Sequence, residues 1–199
     1  MSKNNDYNFG IIVLCPDLKI SNLHKTLTWV KSQVDEDLGN IIAIIPPTKD
    51  KKIHDSFSSI CKTYRSKTNS ILSMVNKGMC YTKADWNFVV KAGVKVKGSS
   101  IFKKLPLFGK DEKDILYPVT PDCLSFVEDP KLDWMYLHSQ TFKQIGEFAD
   151  KLPFDLGKIL WTAQAIEQEC NLKGIVGLRA IDYLKRDREN VHSNKKSSK

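Results

Sequence analysis

Three short apolar runs in the chain have the length and composition of buried strands. Two of them, residues 9–15 and 40–45, lie near the N-terminus, and a proline follows each directly. The third covers residues 88–90 and is followed by Lys91-Ala92-Gly93. Continuous apolar runs are typical of parallel strands that are covered on both faces. The pattern therefore predicts a mainly parallel sheet that contains these three strands.

Apolar residues recur at helical spacing between and after these runs. Residues 21–34 carry one at every third or fourth position, and Ser21 is a favourable N-cap. The same spacing predicts helices over residues 50–64 and 156–170. A strand, a helix and a second strand form a βαβ unit with a right-handed crossover. We therefore expect a single α/β domain of three layers, with a mostly parallel sheet between two layers of helices.

The remaining elements are shorter and less regular. Because glycine permits a positive φ, Asn76-Lys77-Gly78 predicts a turn between a short strand and a short helical segment, over residues 71–75 and 80–87. Residues 98–130 are broken by proline and glycine, so short strands and loops are expected there. Four further elements are predicted downstream: a strand over 134–137, a helix capped by Ser139 or Thr141, a strand over 175–178, and a helix over 180–188.

The charge of the chain divides it into a domain and a tail. The formal net charge is +8, and residues 185–199 hold six Lys and Arg against two acids. This tail has too few apolar residues to fold, so we expect a domain over residues 1–184 and a disordered basic tail. A basic surface can attract phosphates, nucleic acid or anionic membranes, or it can simply be solvated. A nucleic-acid partner is disfavoured, because the sequence shows no aromatic-and-basic platform and no known DNA-binding motif.

Cysteine spacing and hydropathy exclude several classes of protein. The five cysteines are scattered, with no CxxC pair and no Cys/His cluster, which argues against a zinc site and a disulfide framework. They are expected to be small core residues. No apolar run approaches the roughly 20 residues that span a bilayer. The N-terminus lacks a signal-peptide pattern, so a cytoplasmic location is expected.

Four stretches within roughly residues 9–178 follow one another in a recognisable order: IIVLCPDLKISNLHKTLTWVKSQ, NIIAIIPPTKD, VNKGMCYTKADWNFVVKAG and MYLHSQTFKQIGEFADKLPFD. These stretches and the order of the elements resemble the family 2 glycosyltransferases of the GT-A fold. The resemblance implies a GT-A-like domain that transfers a sugar from a nucleotide-sugar donor to a hydroxyl acceptor. The chain is short for that family, which implies a small acceptor or a protein partner.

Two positions depart from the family pattern. The second strand of the family usually ends in an Asp that holds the nucleotide base, and the matching residue here is Pro46. The Asp-x-Asp metal motif of the family is matched by Lys91-Ala92-Gly93. A hard divalent cation needs carboxylate oxygens, which this motif does not supply. No metal and no cofactor besides the nucleotide-sugar substrate is therefore expected at this place.

Two interpretations remain open. In the first, Lys91 replaces the metal, with help from Lys95 and Lys97, and stabilises the leaving diphosphate. The resemblance then implies donor binding by Pro16, Lys91, Gly93 and Lys95, and a catalytic base at Asp155. In the second, the scaffold has lost its chemistry and binds a sugar, a phosphate or another protein. The lysines then simply alternate along a half-exposed strand, and Asp155 caps a helix.

Other polar and aromatic residues near this region are expected to be structural or solvated. Trp86 is predicted in the core, His138 in a structural role, and Lys77 in solvent. Four further acids lie near the middle of the chain without a spacing that indicates a metal site: Asp122, Glu128, Asp129 and Asp133.

Overall fold

Nine strands and six helices form in the part of the chain that the computed structural model describes, which is residues 9–33, 40–96, 101–119, 132–176 and 180–182. The strands are β1 (Phe9–Leu14), β2 (Ile41–Ile45), β3 (Lys62–Arg65), β4 (Trp86–Lys91), β5 (Val94–Val96), β6 (Asp114–Val119), β7 (Trp134–His138), β8 (Asn171–Val176) and β9 (Ala180–Asp182). The helices are α1 (Ile20–Lys31), α2 (Lys51–Ser58), α3 (Ile71–Tyr81), α4 (Ile101–Phe108), α5 (Ser139–Ile145) and α6 (Phe154–Glu167).

Seven of these strands form one sheet in the order β3-β2-β1-β4-β7-β6-β8. The neighbours β3 and β2, β2 and β1, β1 and β4, and β6 and β8 are parallel. Only β7 runs against its two neighbours, β4 and β6. The predicted mostly parallel sheet is therefore confirmed. A separate two-stranded sheet pairs β5 with β9 in antiparallel register.

Helices cover both faces of the main sheet, which confirms the predicted three layers. Alternate residues of a strand point to opposite faces, so each strand contributes to two cores. One core joins Val13 and Phe88 to α1, α2 and α4, for example through Trp29 and Leu105. The other core joins residues such as Val89 to α3, α5 and α6. We call these two sides of the sheet the α1 face and the α3 face.

The prediction for residues 71–87 was wrong, because a single helix, α3, replaces the strand and the turn. Ser70 caps this helix by accepting a hydrogen bond from the Leu72 N–H at 3.2 Å. Gly78 lies inside the helix, where a Cβ atom would come within 2.4 Å of Ile12 Cγ2. The glycine therefore allows α3 to approach β1 closely, and it makes no turn. Asn76 is buried and exchanges two 2.9 Å hydrogen bonds with the Phe148 backbone.

Several predicted boundaries also change. Helix α2 ends at Ser58, and Tyr64 lies in β3, outside the helix that was predicted over residues 50–64. Ser21 lies within α1, whose N-cap is Lys19 without a side-chain hydrogen bond. The N-cap of α5 was predicted to be Ser139 or Thr141, but it is His138. The His138 Nδ1 accepts a hydrogen bond from the Gln140 N–H at 3.2 Å.

Two elements were missed because their stability comes from distant partners. Helix α4 forms in the stretch predicted as strands and loops, because Ile101 and Leu105 are both buried in the core despite Pro106. Ala180–Asp182 is a strand and not the start of a helix, since it pairs with Val94–Val96. Residues 183–188 of that predicted helix, and the predicted tail, lie outside the described residues.

Helix α6 confirms a predicted helix but buries a different set of residues. It packs on the rest of the domain through buried residues that include Gly157, Trp161 and Ala165. Its large aliphatic side chains are instead 44–62% exposed: Leu156, Ile159, Leu160 and Ile166. None of the helices in the described ranges combines the length and the apolar character that crossing a bilayer requires.

Candidate functional site

The carboxyl ends of β1, β2, β3 and β4 meet at one edge of the sheet, which is where ligands of open α/β sheets bind. The chain leaves β1 through Cys15-Pro16-Asp17 and leaves β4 through Lys91. Pairing continues past the strand end, because the Ala92 N–H donates to the Leu14 carbonyl at 2.7 Å. Pro16 and the β4–β5 turn, which the sequence assigned to one site, are therefore neighbours.

The β4–β5 turn is held against α1 by two buried polar side chains. Gly93 has a φ of +86°, and its N–H donates to Thr26 Oγ1 at 2.9 Å. A Cβ atom at this position would lie 3.2 Å from Asn22 Cγ. Asn22 is itself 1% exposed and donates from Nδ2 to Asp17 Oδ2 at 2.6 Å. The loop after β1 and the turn after β4 are thus locked to each other through α1.

Sequence reasoning missed Asn22 and Thr26. Both are polar residues on the face of α1 that otherwise carries Leu23, Leu27 and Val30 into the core. Buried polar groups need hydrogen-bond partners, so two of them on an apolar helix face indicate a contact with irregular backbone. That signal was present in the sequence, although it does not identify Gly93 as the partner.

Lys91 lies on the α3 face of the sheet. Its β4 neighbours Phe88 and Val90 belong to the core under α1, whereas Val89 belongs to the core under α3. The alternation of side chains places Lys91 with Val89. Lys91 is half-buried, and its ammonium makes no ion pair or hydrogen bond with any described residue. Lys91 therefore stands where four strand ends converge, with no partner among the described residues.

Asp133 is directly opposite Lys91. The Lys91 N–H donates to the Asp133 carbonyl at 3.0 Å, which extends the antiparallel pairing of β4 and β7 by one residue. Met135 and Leu137 of β7 belong to the core under α3, so alternation places Asp133 on the same face as Lys91. The sequence analysis did not predict Asp133 as part of this site. Only the return of β7 alongside β4 brings it to this edge.

Asp155 reaches the same edge from α6. It is exposed in the first turn of the helix, and Pro153 is the N-cap, so Asp155 does not serve as the cap. Gly157 packs so closely on Leu72 that a Cβ atom would lie 2.5 Å from Leu72 Cδ1. Leu72 lies in the first turn of α3, the helix that follows the carboxyl end of β3. The start of α6 therefore lies at the carboxyl edge and on the face of Lys91.

The other candidate residues have simpler surroundings. Lys95 is half-buried in β5 between the buried Val94 and Val96, which is the predicted alternation of a half-exposed strand. Lys97 lies outside the described residues. Trp86 is buried and stacks on Tyr136 with 4.9 Å between ring centroids, as a core residue should.

The cysteines only partly follow the prediction of small core residues. Cys15 is buried at the end of β1, and burial raises the pKa of its thiol well above the usual value. Burial also raises the pKa of Cys61 to about 11. Cys80, by contrast, is exposed. Cys15 and Cys61 are therefore protonated at neutral pH and are poor nucleophiles and metal ligands.

The three residues at the end of β4 do not by themselves supply ligands for a divalent cation. Lys91, Ala92 and Gly93 offer no side-chain oxygen, and Mg²⁺ and similar ions bind through oxygen. Within the described ranges, no three His, Cys, Asp or Glu side chains come together as a possible metal site. Lys91 instead places a positive charge at this edge.

Comparison with known proteins shows the fold. No family model matches the chain, and no curated protein sequence matches it. The structure of glucosyl-3-phosphoglycerate synthase from Mycobacterium tuberculosis with Mg²⁺ and UDP matches with a TM-score of 0.60 at 10% identity, over 87% of this chain and 71% of that one. GalNAc-T7 with UDP, GalNAc and Mn²⁺ matches with a TM-score of 0.66 at 10% identity, over 86% of this chain and 43% of that one.

A third similar structure is S. aureus TarS 1–349, with a TM-score of 0.63 at 10% identity over 84% of this chain and 58% of that one. This chain thus spans about half the length of two of the three proteins. At such low identity the similarity concerns the fold alone, and the fold of this chain is GT-A-like.

Proposed function

We propose that this chain is a glycosyltransferase-like protein that moves a sugar from a nucleotide-sugar donor to a hydroxyl group of an acceptor. It would do so without a divalent cation, with the Lys91 ammonium in its place. The observation that carries the proposal is the position of Lys91. It ends the strand beside β1, at the edge of a GT-A-like sheet, and no described residue neutralises its charge.

The reaction needs positive charge at one place and a base at another. The acceptor oxygen forms a bond to the anomeric carbon of the sugar, and the bond from that carbon to the diphosphate breaks. Negative charge then develops on the leaving diphosphate, and Lys91, with Lys95 nearby in sequence, stabilises it. Asp155 accepts the proton of the attacking hydroxyl. Its exposed position on the same edge and face as Lys91 leaves it open to a bound acceptor.

Donor binding also uses the backbone of this edge. Pro16 follows β1, and Gly93 forms the turn that α1 holds in place through Thr26. A glycine without a Cβ atom lets a diphosphate approach the turn closely. Two of the similar structures were solved with UDP and a divalent cation. We expect the nucleoside diphosphate to lie here too, with Lys91 nearest the phosphates.

A panel of nucleoside diphosphates tests this proposal through the melting temperature of the protein. UDP or another nucleoside diphosphate should raise the melting temperature in EDTA, since a ligand that binds only the folded state stabilises it. Lys91→Ala should abolish the shift, and Lys104→Ala, an exposed lysine of α4, should keep it. A shift that requires manganese would contradict the metal-free mechanism.

The alternative is a GT-A scaffold that has lost catalysis and acts as a binding protein. Pro46 favours it, because a buried proline ends β2 where the resembling family places a base-binding Asp. The same panel separates the two functions. If no nucleoside diphosphate or nucleotide sugar shifts the melting temperature, with or without manganese, the binding-protein function replaces the enzymatic one.

A further inference from the structure

The outer strand of the sheet, β3, borders an open groove of about 720 Å³ that is rich in positive charge. Lys49 and Lys51 enter it from the start of α2, Arg65 from the end of β3, and Lys77 from α3. The described lining contributes one carboxylate, Asp55. Four formal cations thus face one anion. We call this surface the β3 groove.

None of the residues that the structure describes neutralises the charges of the β3 groove. Lys49, Lys51 and Arg65 make no ion pair with any described residue. Asp55 lies 3.7 Å from His54 and not against any of the lysines. Holding like charges together without counterions costs free energy, and a bound polyanion would recover it.

Two tyrosines adjoin these cations. The rings of Tyr64, in β3, and Tyr81, at the end of α3, lie 4.2 Å apart between centroids. Tyr81 is 41% exposed. The Lys77 ammonium lies 4.3 Å from the centre of the Tyr81 ring, and that of Lys62 lies 5.6 Å from Tyr64. The fold therefore builds an aromatic-and-basic platform that the sequence did not reveal, because its parts come from three separate elements.

We propose that the β3 groove binds single-stranded nucleic acid. Proteins that bind single strands without sequence preference combine a positive groove along the phosphates with aromatic side chains that contact the bases. Here the cations lie along the strand and on both sides of its edge, which suits an extended chain of phosphates better than one phosphate group. Tyr81 and Lys77 also line the adjoining cavity, which carries Glu147 and Asp150, so the positive surface ends beyond these two residues.

The competing occupant is an acidic peptide that adds a strand to the open edge of β3. Such a peptide would use the same cations and the backbone of the edge strand. The exposed Tyr81 favours the nucleic acid, because a base can displace the flexible Lys77 side chain from the ring and stack on its face, whereas an acidic strand gains nothing from an aromatic ring. The proposal is independent of sugar transfer and does not use Lys91 or Asp155.

Fluorescence anisotropy of the full chain with a labelled oligothymidine of about twelve nucleotides tests the proposal. With four phosphate contacts, affinity should fall roughly 50-fold between about 50 mM and 200 mM salt. The groove variant Lys49→Glu/Lys51→Glu/Arg65→Glu should lose at least about tenfold in affinity at low salt. Tyr81→Leu should weaken binding by a smaller factor. Circular dichroism and the melting temperature confirm that each variant folds.

The matched control is Lys103→Glu/Lys104→Glu/Lys110→Glu, which removes the same charge from a surface away from β3. Because salt screens exposed charges that lie far from the binding site, the affinity of this control should stay within about twofold of that of the unaltered chain. Equal loss in both triple variants would overturn the proposal, because net charge alone would then explain binding. If the groove variant keeps its affinity, the binding site lies elsewhere, for example in residues 185–199, and the proposal is wrong. Equal binding of a labelled oligoglutamate would also overturn it.

Discussion

The Lys91 N–H donates a 3.0 Å hydrogen bond to the Asp133 carbonyl, so a lysine and an aspartate stand opposite each other at the carboxyl edge of the sheet. Both residues lie on the α3 face. If a diphosphate binds at this edge as proposed, Lys91 attracts it and the adjacent Asp133 repels it. Substitutions at these two positions should change nucleotide affinity in opposite directions.

Asp133→Asn should raise the affinity for a nucleoside diphosphate about two- to fivefold. The variant keeps the shape of the side chain and removes a negative charge. Two unit charges about 8 Å apart interact by about 1 kcal/mol at an effective dielectric constant of about 40. Titration calorimetry at low salt measures the change. The gain should shrink at high salt, and an unchanged or lower affinity would show that Asp133 does not face the bound phosphates.

Asp155→Asn should separate binding from transfer. If Asp155 is the base, the variant should keep the donor-induced rise in melting temperature and lose roughly 10²- to 10⁴-fold in kcat. Asp150→Asn, a nearby acid outside the proposed site, is the control and should retain activity. Full transfer activity in Asp155→Asn would remove this residue from the mechanism.

Gly93→Ala should destabilise the protein by about 1–3 kcal/mol. A side chain is strained at a φ of +86°, and the new Cβ would lie 3.2 Å from Asn22 Cγ. Thr26→Val should cost about 1–2 kcal/mol by removing the acceptor of the Gly93 N–H. Urea unfolding measures both, with Thr26→Ser as the control that keeps the hydroxyl. If Thr26→Val and Thr26→Ser are equally stable, the hydroxyl does not hold the turn.

Gly78→Ala tests whether α3 packs on β1 as closely as the structure has it. In an exposed helix this substitution would stabilise by about 1 kcal/mol. Here the added methyl would lie 2.4 Å from Ile12 Cγ2, so we expect a loss of about 1–3 kcal/mol. Ile12→Ala makes room for the methyl, so a double-mutant cycle in urea should show favourable coupling between the two substitutions. A stabilised Gly78→Ala single variant would contradict the close packing.

Asp114 should make stability depend on pH in the acid range. Burial raises the pKa of its carboxyl, but hydrogen bonds from Lys173, the Asp111 backbone and Asn171 outweigh burial and hold the pKa below its usual value. The Lys173 ammonium lies 2.7 Å from Oδ1. Because the folded pKa is lowered, the stabilisation is present above the unfolded pKa and is lost as pH falls through the folded pKa.

Asp114→Asn should therefore cost about 2–4 kcal/mol of unfolding free energy at neutral pH, since it leaves Lys173 and two backbone donors without their charged partner. The difference from the unaltered chain should shrink as pH falls toward the folded pKa. Urea unfolding across the acid range measures it. A difference that stays constant with pH would show that the carboxylate charge does not stabilise the β6–β8 pair.

Local pattern was enough to predict the centre of the fold. The apolar runs that became β1, β2 and β4 identify strands by composition alone, and the proline or glycine after each marks its end. The same pattern failed for α3, because Gly78 has the composition of a turn but serves a helix that approaches Ile12. The strand β9 has three residues and forms through its pairing with β5, which no local pattern reveals.

Some residues of the candidate site could likewise be predicted from the sequence, and others could not. Lys91 and Gly93 were found from sequence because they directly follow a recognisable strand. Asp133 was not, because its place depends on the antiparallel return of β7 across more than 40 residues of chain. Thr26 likewise acquires a role only through its contact with Gly93. Residues that act through long-range pairing need the fold before their chemistry can be interpreted.

The proposed mechanism requires that Lys91 replace a divalent cation at the end of β4. Calorimetric titration of UDP and other nucleoside diphosphates in EDTA measures this, with Lys91→Ala and Lys91→Arg beside the unaltered chain. We expect binding without metal and a loss of about 10- to 100-fold in the affinity of Lys91→Ala, as for the loss of a charge-assisted hydrogen bond. Lys91→Arg should keep part of the affinity. Binding that appears only with manganese, or that is equally tight in Lys91→Ala, would contradict the proposed mechanism.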